Sequence, residues 1–386
     1  MKTNHPPQTG IGTLDDSSKT DYDIPNPQTL NGQEMFESVF GQCRDAGSFG
    51  AVTQSPEGGV RKVVAFSVQP SVKKLAGVHS NVKVDHLGGR DYSLQTDNLS
   101  ENFTLSEPDH LHVVAGVMEG VILRSLRGVE GVVSYRDRKF TAVHGYVFMS
   151  TEMDEAPGKT ADSLVKEECL TLESALNISY DTASTLQKVH NAHVIHGDIT
   201  PKNIMSDGQK TTLTDFGNSR VIGLNKYLNL SFRGMNEMSF VVEFADALPK
   251  VGTPAYFAPE TPFEGSSIAG DIYSMNTTAL YLTTGLVIAP IIRKSGWSSK
   301  LYNLTKEEMI KNDVPEPVCQ AILFNLAASP ENRDLEFLIS TLGDSLGVEL
   351  PGGVKTYSCP SVFARTQLSR YSDYEAADTE FLSKKF

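Results

Sequence analysis

Between residues 194 and 217, Asp198, Asn203 and Asp215 place two carboxylates and a carboxamide at spacings that suit one kind of chemistry. Asp198 and Asn203 stand in a polar loop with His196, bracketed by the apolar β-type pairs Val194-Ile195 and Ile204-Met205. Twelve residues after Asn203, a short strand-like run from Thr212 to Thr214 ends in Asp215-Phe216-Gly217. One carboxylate can take a proton from a hydroxyl. An amide carbonyl and a second carboxylate can hold Mg²⁺ on a phosphate. Such side chains must be delivered by adjoining loops, and the flanking apolar pairs are the strands that would fix those loops.

The joint pattern, H-x-D-x-x-x-x-N followed by D-F-G, resembles the protein-kinase superfamily. The resemblance implies Asp198 as the base, Asn203 and Asp215 as Mg²⁺ ligands, ATP as phosphoryl donor, and His196 packed within its loop. Two letters depart from the family. Gly197 replaces the arginine of H-R-D, so no guanidinium stands there to pair with a phosphorylated activation loop; activity is expected without that pairing. Thr200 replaces a lysine usual in Ser/Thr kinases, and Asp198-Ile-Thr-Pro-x-Asn203 resembles the loop of herpesvirus-encoded protein kinases.

Further matches follow downstream in the family's order. Gly252-Thr-Pro-Ala-Tyr-Phe-Ala-Pro-Glu260 resembles the end of an activation segment, which implies that the Thr253 hydroxyl contacts Asp198. Asp271-Ile-Tyr-Ser-Met, running on to Gly285, resembles the helix whose aspartate anchors the catalytic loop. Ser329-Pro-Glu-Asn-Arg333 implies Arg333 as the buried partner of Glu260. Residues 222–250 carry Leu228, Phe232, Met238, Phe240 and Val241, either as a substrate-docking element or as an ordered insertion.

Upstream, Gly47-Ser48-Phe49-Gly50-x-Val52 follows the glycine-rich pattern, with Asp45 in place of its first glycine. Such a hairpin lets backbone N–H groups approach phosphates because no Cβ intervenes. The turn Pro56-Glu-Gly-Gly59 leads into a return strand from Val60 to Val68, on which the family places a phosphate-binding lysine. Two registers compete. The V-A-x-K pattern puts Ser67 in that slot, whereas a shorter hairpin puts Lys62 there, on one face with Val60, Val64 and Phe66. Lys62 is preferred over the bland alternative, in which Arg61 and Lys62 form a charged hairpin edge. Ser106-Glu-Pro-Asp109 is a helix start with proline in the first turn. The helix runs to about Leu126 with Leu111, Val114, Met118, Val121 and Ile122 as its apolar stripe. By its place in the order, Glu119 is the lysine's partner rather than a surface residue. Residues 71–108 show no sustained period and read as an insertion or long loop. Val132–Tyr135 and Thr141–Met149 read as strands. Ser150–Asp154 is the expected hinge, with Thr151 as gatekeeper and Glu152 and Met153 facing adenine. A helix over roughly 172–190 then carries Leu172, Ala175, Leu176, Ala183, Leu186 and Val189 inward.

The chain of 386 residues, with 39% apolar content, is long enough for two lobes. The expected organisation is a polar arm over 1–34, an N-lobe over 35–153 with the insertion, a C-lobe over 154–346 and a polar tail over 347–386. The fold class is α+β, a small β-rich lobe with one helix and a larger helical lobe. A net charge of −13 argues against a nucleic-acid partner. Four scattered cysteines fit free thiols rather than a zinc site or disulfide framework. No apolar run is long enough for a membrane span. The expected setting is therefore intracellular and soluble, in cytoplasm or nucleus, or in a host cell or virion if viral. Protein Ser/Thr hydroxyls are the expected acceptors. Ser67 in the lysine slot would instead make the chain a pseudokinase scaffold. His196-Gly-Asp198 also occurs in small-molecule phosphotransferases of related fold.

Overall fold

A computed structural model describes residues 36–348 apart from 38, 48–49, 68–77, 80–81, 97–98, 144–145, 223–226, 232–238 and 244–251. The expected arm over 1–34 lies outside the described residues, as does the tail from 349 on.

The first lobe is built on an antiparallel sheet of β1 (Cys43–Gly47), β2 (Gly50–Gln54), β3 (Val60–Ser67), β4 (Val78–His79), β8 (Tyr135–Val143) and β9 (Tyr146–Met153), in the order β1-β2-β3-β9-β8-β4. Gly47 pairs with Gly50 across the tip of the first hairpin. Gly50 has φ +136°, and a Cβ there would lie 2.6 Å from the Val63 carbonyl oxygen, so the strand return admits only glycine. Helix α1 (Glu107–Ser125) crosses the sheet. Its start follows the residues at that end: the Ser106 hydroxyl accepts from Asp109 N, and Glu107 and Asp109 lie in the first turn.

Residues 71–108 correct the expectation of a loop. They include a three-stranded antiparallel sheet of β5 (Lys83–Gly88), β6 (Asp91–Thr96) and β7 (Leu99–Thr104). Val82, Val84, Tyr92, Leu94, Phe103 and Leu105 are buried beneath it. Among the described side chains, β5 buries Val84 and His86, β6 the consecutive Tyr92, Ser93 and Leu94, and β7 Phe103, too few and too irregular for a period-2 signal to rise above the polar residues between them.

The second lobe is helical. It holds α2 (Ala161–Lys166), α3 (Leu172–Asn191), α4 (Thr261–Glu264), α5 (Ile268–Thr284), α6 (Ala289–Ser295), α7 (Ser299–Lys311), α8 (Glu316–Ala327) and α9 (Leu335–Leu346). Helix α5 is buried along nearly its whole length, with α3, α8 and α7 packed around it. Its polar side chains turn back on the helix: Thr277 and Thr283 hydroxyls donate to carbonyls three and four residues earlier. Where the lobes meet, β10 (Lys159–Thr160), β12 (Ile204–Ser206) and β13 (Thr211–Leu213) form one small sheet, and β11 (Val194–Ile195) pairs with β14 (Arg220–Val221). Val132 makes only an isolated bridge to Leu213, so the strand expected from Val132 starts at Tyr135. In the long segment after Arg220, the backbones of β15 (Tyr227–Ser231) and β16 (Ser239–Glu243) pair as an antiparallel hairpin. The apolar side chains noted there in sequence lie outside the described residues.

Candidate active site

The loop from His196 to Asn203 is held from below. Both carboxylate oxygens of Asp271, at the start of α5, accept backbone N–H groups of the loop, from His196 and from Gly197, each at 2.8 Å. His190 Nε2, at the end of α3, lies 2.9 Å from Asp271 Oδ2. Asp271 is 2% exposed, so these bonds act where water does not compete. Gly197 has φ +80°, and a Cβ there would meet the Asn218 carbonyl oxygen at 2.5 Å. The departure from H-R-D thus has a local cause: the backbone of the segment after Asp215 passes too close for any side chain.

His196 is fully buried. Its ring lies edge-on to Phe216, 4.6 Å between centroids, and its Nε2 is 3.1 Å from the Thr214 carbonyl oxygen. It is a packing residue that ties the two loops together, as the resemblance implied. Asn203 Nδ2 donates to the Asp198 carbonyl at 2.9 Å and to Asp198 Oδ2 at 3.3 Å, while Thr214 N donates to the Asn203 backbone carbonyl at 2.9 Å.

Lys62, Glu119 and Asp215 come together from three elements. Lys62 Nζ lies 3.0 Å from Glu119 Oε1 and 2.6 Å from Asp215 Oδ1. Lys62 and Glu119 are buried, whereas the Asp215 side chain is 41% exposed. Burial alone would lower the Lys62 ammonium, but the two carboxylates outweigh it and hold it above the ordinary lysine range. Loss of water around the partly exposed Asp215 carboxyl would raise it, but the Lys62 charge and hydrogen bond outweigh this and hold it below its usual range. Ser67, the competing position, pairs with Tyr146 at the far end of β3. Gly47, Gly50 and Val52 lie on the hairpin beside β3, and Val52 pairs with Lys62. Ser48 and Phe49 lie outside the described residues.

The end of the long segment returns to the same place. Thr253 meets Asp198 through its backbone: its N–H donates to Asp198 Oδ1 at 2.8 Å. This corrects the expected hydroxyl contact, because the chain passes Gly197 closely at Gly252 and presents an amide to the carboxylate. The hinge is displaced too. Glu152 is paired with Arg61 on one side and Asp137 on the other, and Met153 with Val60 and Tyr135. A central strand engages its backbone in the sheet, so the chain leaves β9 only at Asp154 and the connection begins there. Thr151, the expected gatekeeper, pairs with Lys62 in the sheet.

Glu260 and Arg333 form a two-pronged ion pair, Nη1 to Oε1 and Nη2 to Oε2 (3.1 Å), with Nη1 also donating to the Ala269 carbonyl at 3.0 Å. The Arg333 guanidinium lies 4.9 Å over the Tyr273 ring. Sequence reasoning passed over Asn218, whose Nδ2 reaches Asp198 Oδ2 at 3.4 Å. Its position directly after Asp215-Phe216-Gly217 was the available signal. It also passed over His190, for which the sequence carried no signal.

A family model described as protein kinase domain matches residues 106–337, more than half of the chain. The chain belongs to the protein kinase family, and its fold is the bilobal α+β architecture of that family. Among curated proteins it is similar to serine/threonine-protein kinase PknK of Mycobacterium bovis, 30% identical over 166 residues, 41% of this chain and 13% of that protein. It is also similar to serine/threonine-protein kinase PknA of Nostoc sp., 33% identical over 132 residues, 33% of this chain and 21% of that protein. A third relative is mitogen-activated protein kinase kinase kinase 8 of Rattus norvegicus, 30% identical over 156 residues, 38% of this chain and 29% of that protein. The matched stretch spans less than a third of each relative. No helix among the described residues is long and apolar enough to cross a membrane.

Proposed function

We propose that this chain is an active kinase that transfers the γ-phosphate of Mg-ATP to serine or threonine hydroxyls of proteins. The observation that carries the reading is the buried Lys62, held at once by Glu119 and Asp215. An ammonium so placed can pair with nucleotide phosphates beside the residues suited to the metal. It also weighs against the scaffold alternative, whose motive was Ser67 in the lysine slot.

In this reading Asp198 orients the acceptor hydroxyl. It takes the hydroxyl proton as the new O–P bond forms and the bond from the γ-phosphorus to its bridging oxygen breaks, releasing ADP. Asn203 and Thr253 N–H hold the carboxylate in place. The donor set suits Mg²⁺: Asp215 offers a partly exposed carboxylate, and Asn203, whose amide nitrogen is engaged by Asp198, offers its carbonyl oxygen. When bound, the ion would neutralise charge on the transferring phosphates. The nucleotide base would lie against the segment that leaves β9 after Met153, from Asp154 onward. Activity without a phosphorylated activation loop remains part of the proposal, since no arginine precedes Asp198.

The test is incubation of the purified chain with γ-labelled Mg-ATP and casein, followed by identification of the labelled amino acid. Label on serine or threonine supports the reading. Label only on tyrosine, or only on a small-molecule acceptor such as an aminoglycoside, would replace it.

A further inference from the structure

Arg138 is a buried cation whose place neither the catalytic loop nor the ion pairs above explain. It is 9% exposed, on β8, and pairs in register with Thr151, which pairs in turn with Lys62. Arg138, Thr151 and Lys62 therefore form one row across three strands, on the sheet face that α1 covers. The Arg138 Nη2 group donates to the carbonyls of Gly116 and Val117, at 3.0 Å each. A helical carbonyl that already accepts from within the helix has a second lone pair for such a donor.

The helix is shaped to admit this guanidinium. A Cβ on Gly120 would lie 1.6 Å from Arg138 Nη2 and 2.6 Å from its Cζ. One turn earlier, a Cβ on Gly116 would lie 2.4 Å from the Met149 terminal methyl. Gly116, Glu119 and Gly120 share one face, so two glycines let the helix sink onto the sheet on either side of the glutamate that meets Lys62. Stability alone does not call for this arrangement. An apolar side chain of similar volume is often neutral or better than a buried charge, and each helical glycine gives up about 0.8–1 kcal/mol against alanine. What a guanidinium adds is direction, because its planar fork fixes both the height and the rotation of the backbone it holds. Glu119, Tyr135 and Asp137 are the titratable groups whose charges act on it, and burial lowers its pKa against their opposing pull.

We propose that Arg138 is a positioning residue, a clamp that sets α1 so that Glu119 reaches Lys62, with Gly120 as its seat. The role in transfer rests on the enzymatic reading above; the clamp itself does not.

Three measurements test it. In thermal unfolding, Gly120→Ala destabilises the chain when Arg138 is present and is neutral or stabilising in an Arg138→Met background. Equal cost in both backgrounds contradicts the seat. With casein as acceptor, Arg138→Met lowers kcat and kcat/KM together by on the order of 10- to 100-fold, KM for ATP being held, and Arg138→Lys recovers part of the loss. In a Glu119→Gln background Arg138→Met adds less than about twofold; losses that multiply would mean that Arg138 does not act through Glu119. Hydrogen exchange of the α1 amides rises in Arg138→Met, and unchanged exchange overturns the clamp whether or not the chain transfers phosphate. A wild-type chain without transfer sinks the enzymatic reading and the positioning role with it, leaving exchange to decide the clamp alone.

Discussion

At the scale of single residues, the chemistry concentrates in Lys62. Its ammonium touches a carboxylate from α1 and another from the turn after β13, so one substitution disturbs two elements. Lys62→Met is expected to lower phosphate transfer by on the order of 10²-fold or more and to leave Glu119 buried beside an apolar group. Ser67→Ala, at the distal end of the strand, is expected to leave transfer unchanged; steady-state rates of both variants check the assignment. The pH dependence also follows from this cluster. Asp215 has a folded pKa below its unfolded value of about 3.9, so its contribution to stability is full above that value and is lost as pH falls through the folded pKa. Lys62 lies on the other side: its folded pKa is raised, so its contribution is full below about 10.4 and is lost only as pH climbs past it. Asp215→Asn should therefore flatten the acid-side fall of the melting temperature below about pH 4 relative to wild type, measured by thermal scans into the acid range. A parallel fall in both proteins would show that Asp215 is not the group responsible.

Among elements, the catalytic loop depends on α5 and the ion pair behind it. Asp271→Asn keeps the shape but leaves one carbonyl oxygen where two carboxylate oxygens accepted from His196 and Gly197. It is expected to cost about 1–3 kcal/mol and to slow transfer; denaturant melts and rates measure the two effects. Arg333→Ala strands Glu260 and should cost about 3–5 kcal/mol, read as a lowered denaturation midpoint at unchanged m-value. What could be read from sequence follows the same division. The contacts among Asp198, Asn203, Asp271, Glu260 and Arg333, and the place of Asp215 beside Lys62, could be anticipated because the chemistry proposed for these residues demands particular letters in a particular order. Helix α1 could be found because Ser106, Glu107 and Asp109 suit a helix start. The hinge could not, because where β9 leaves the sheet depends on its pairing with β3 and β8, and such pairing has no local signature. Arg138 was illegible for a related reason: a buried arginine and a surface one are written alike.

For the whole molecule, the inserted sheet is the part that the family resemblance least anticipates. Tyr92 is fully buried, stacks on Phe103 at 5.6 Å, and has its hydroxyl 2.7 Å from His110 Nδ1 at the start of α1. The sheet is thus packed into the lobe that holds Lys62 and Glu119. Tyr92→Phe should cost about 1 kcal/mol and Tyr92→Ala about 3–5 kcal/mol, each in a single unfolding transition. A separate early transition in the alanine variant would show the sheet to be an independent unit. Both lobes converge on the loop at 194–217, and there the account can be tested most directly. The decisive measurement compares wild type with Asp198→Asn for transfer of labelled γ-phosphate from Mg-ATP to casein, with both proteins shown to be equally folded. Transfer by wild type, reduced by on the order of 10³-fold or more in the variant, is the predicted result. Equal transfer by the two proteins, or none by wild type, would contradict it.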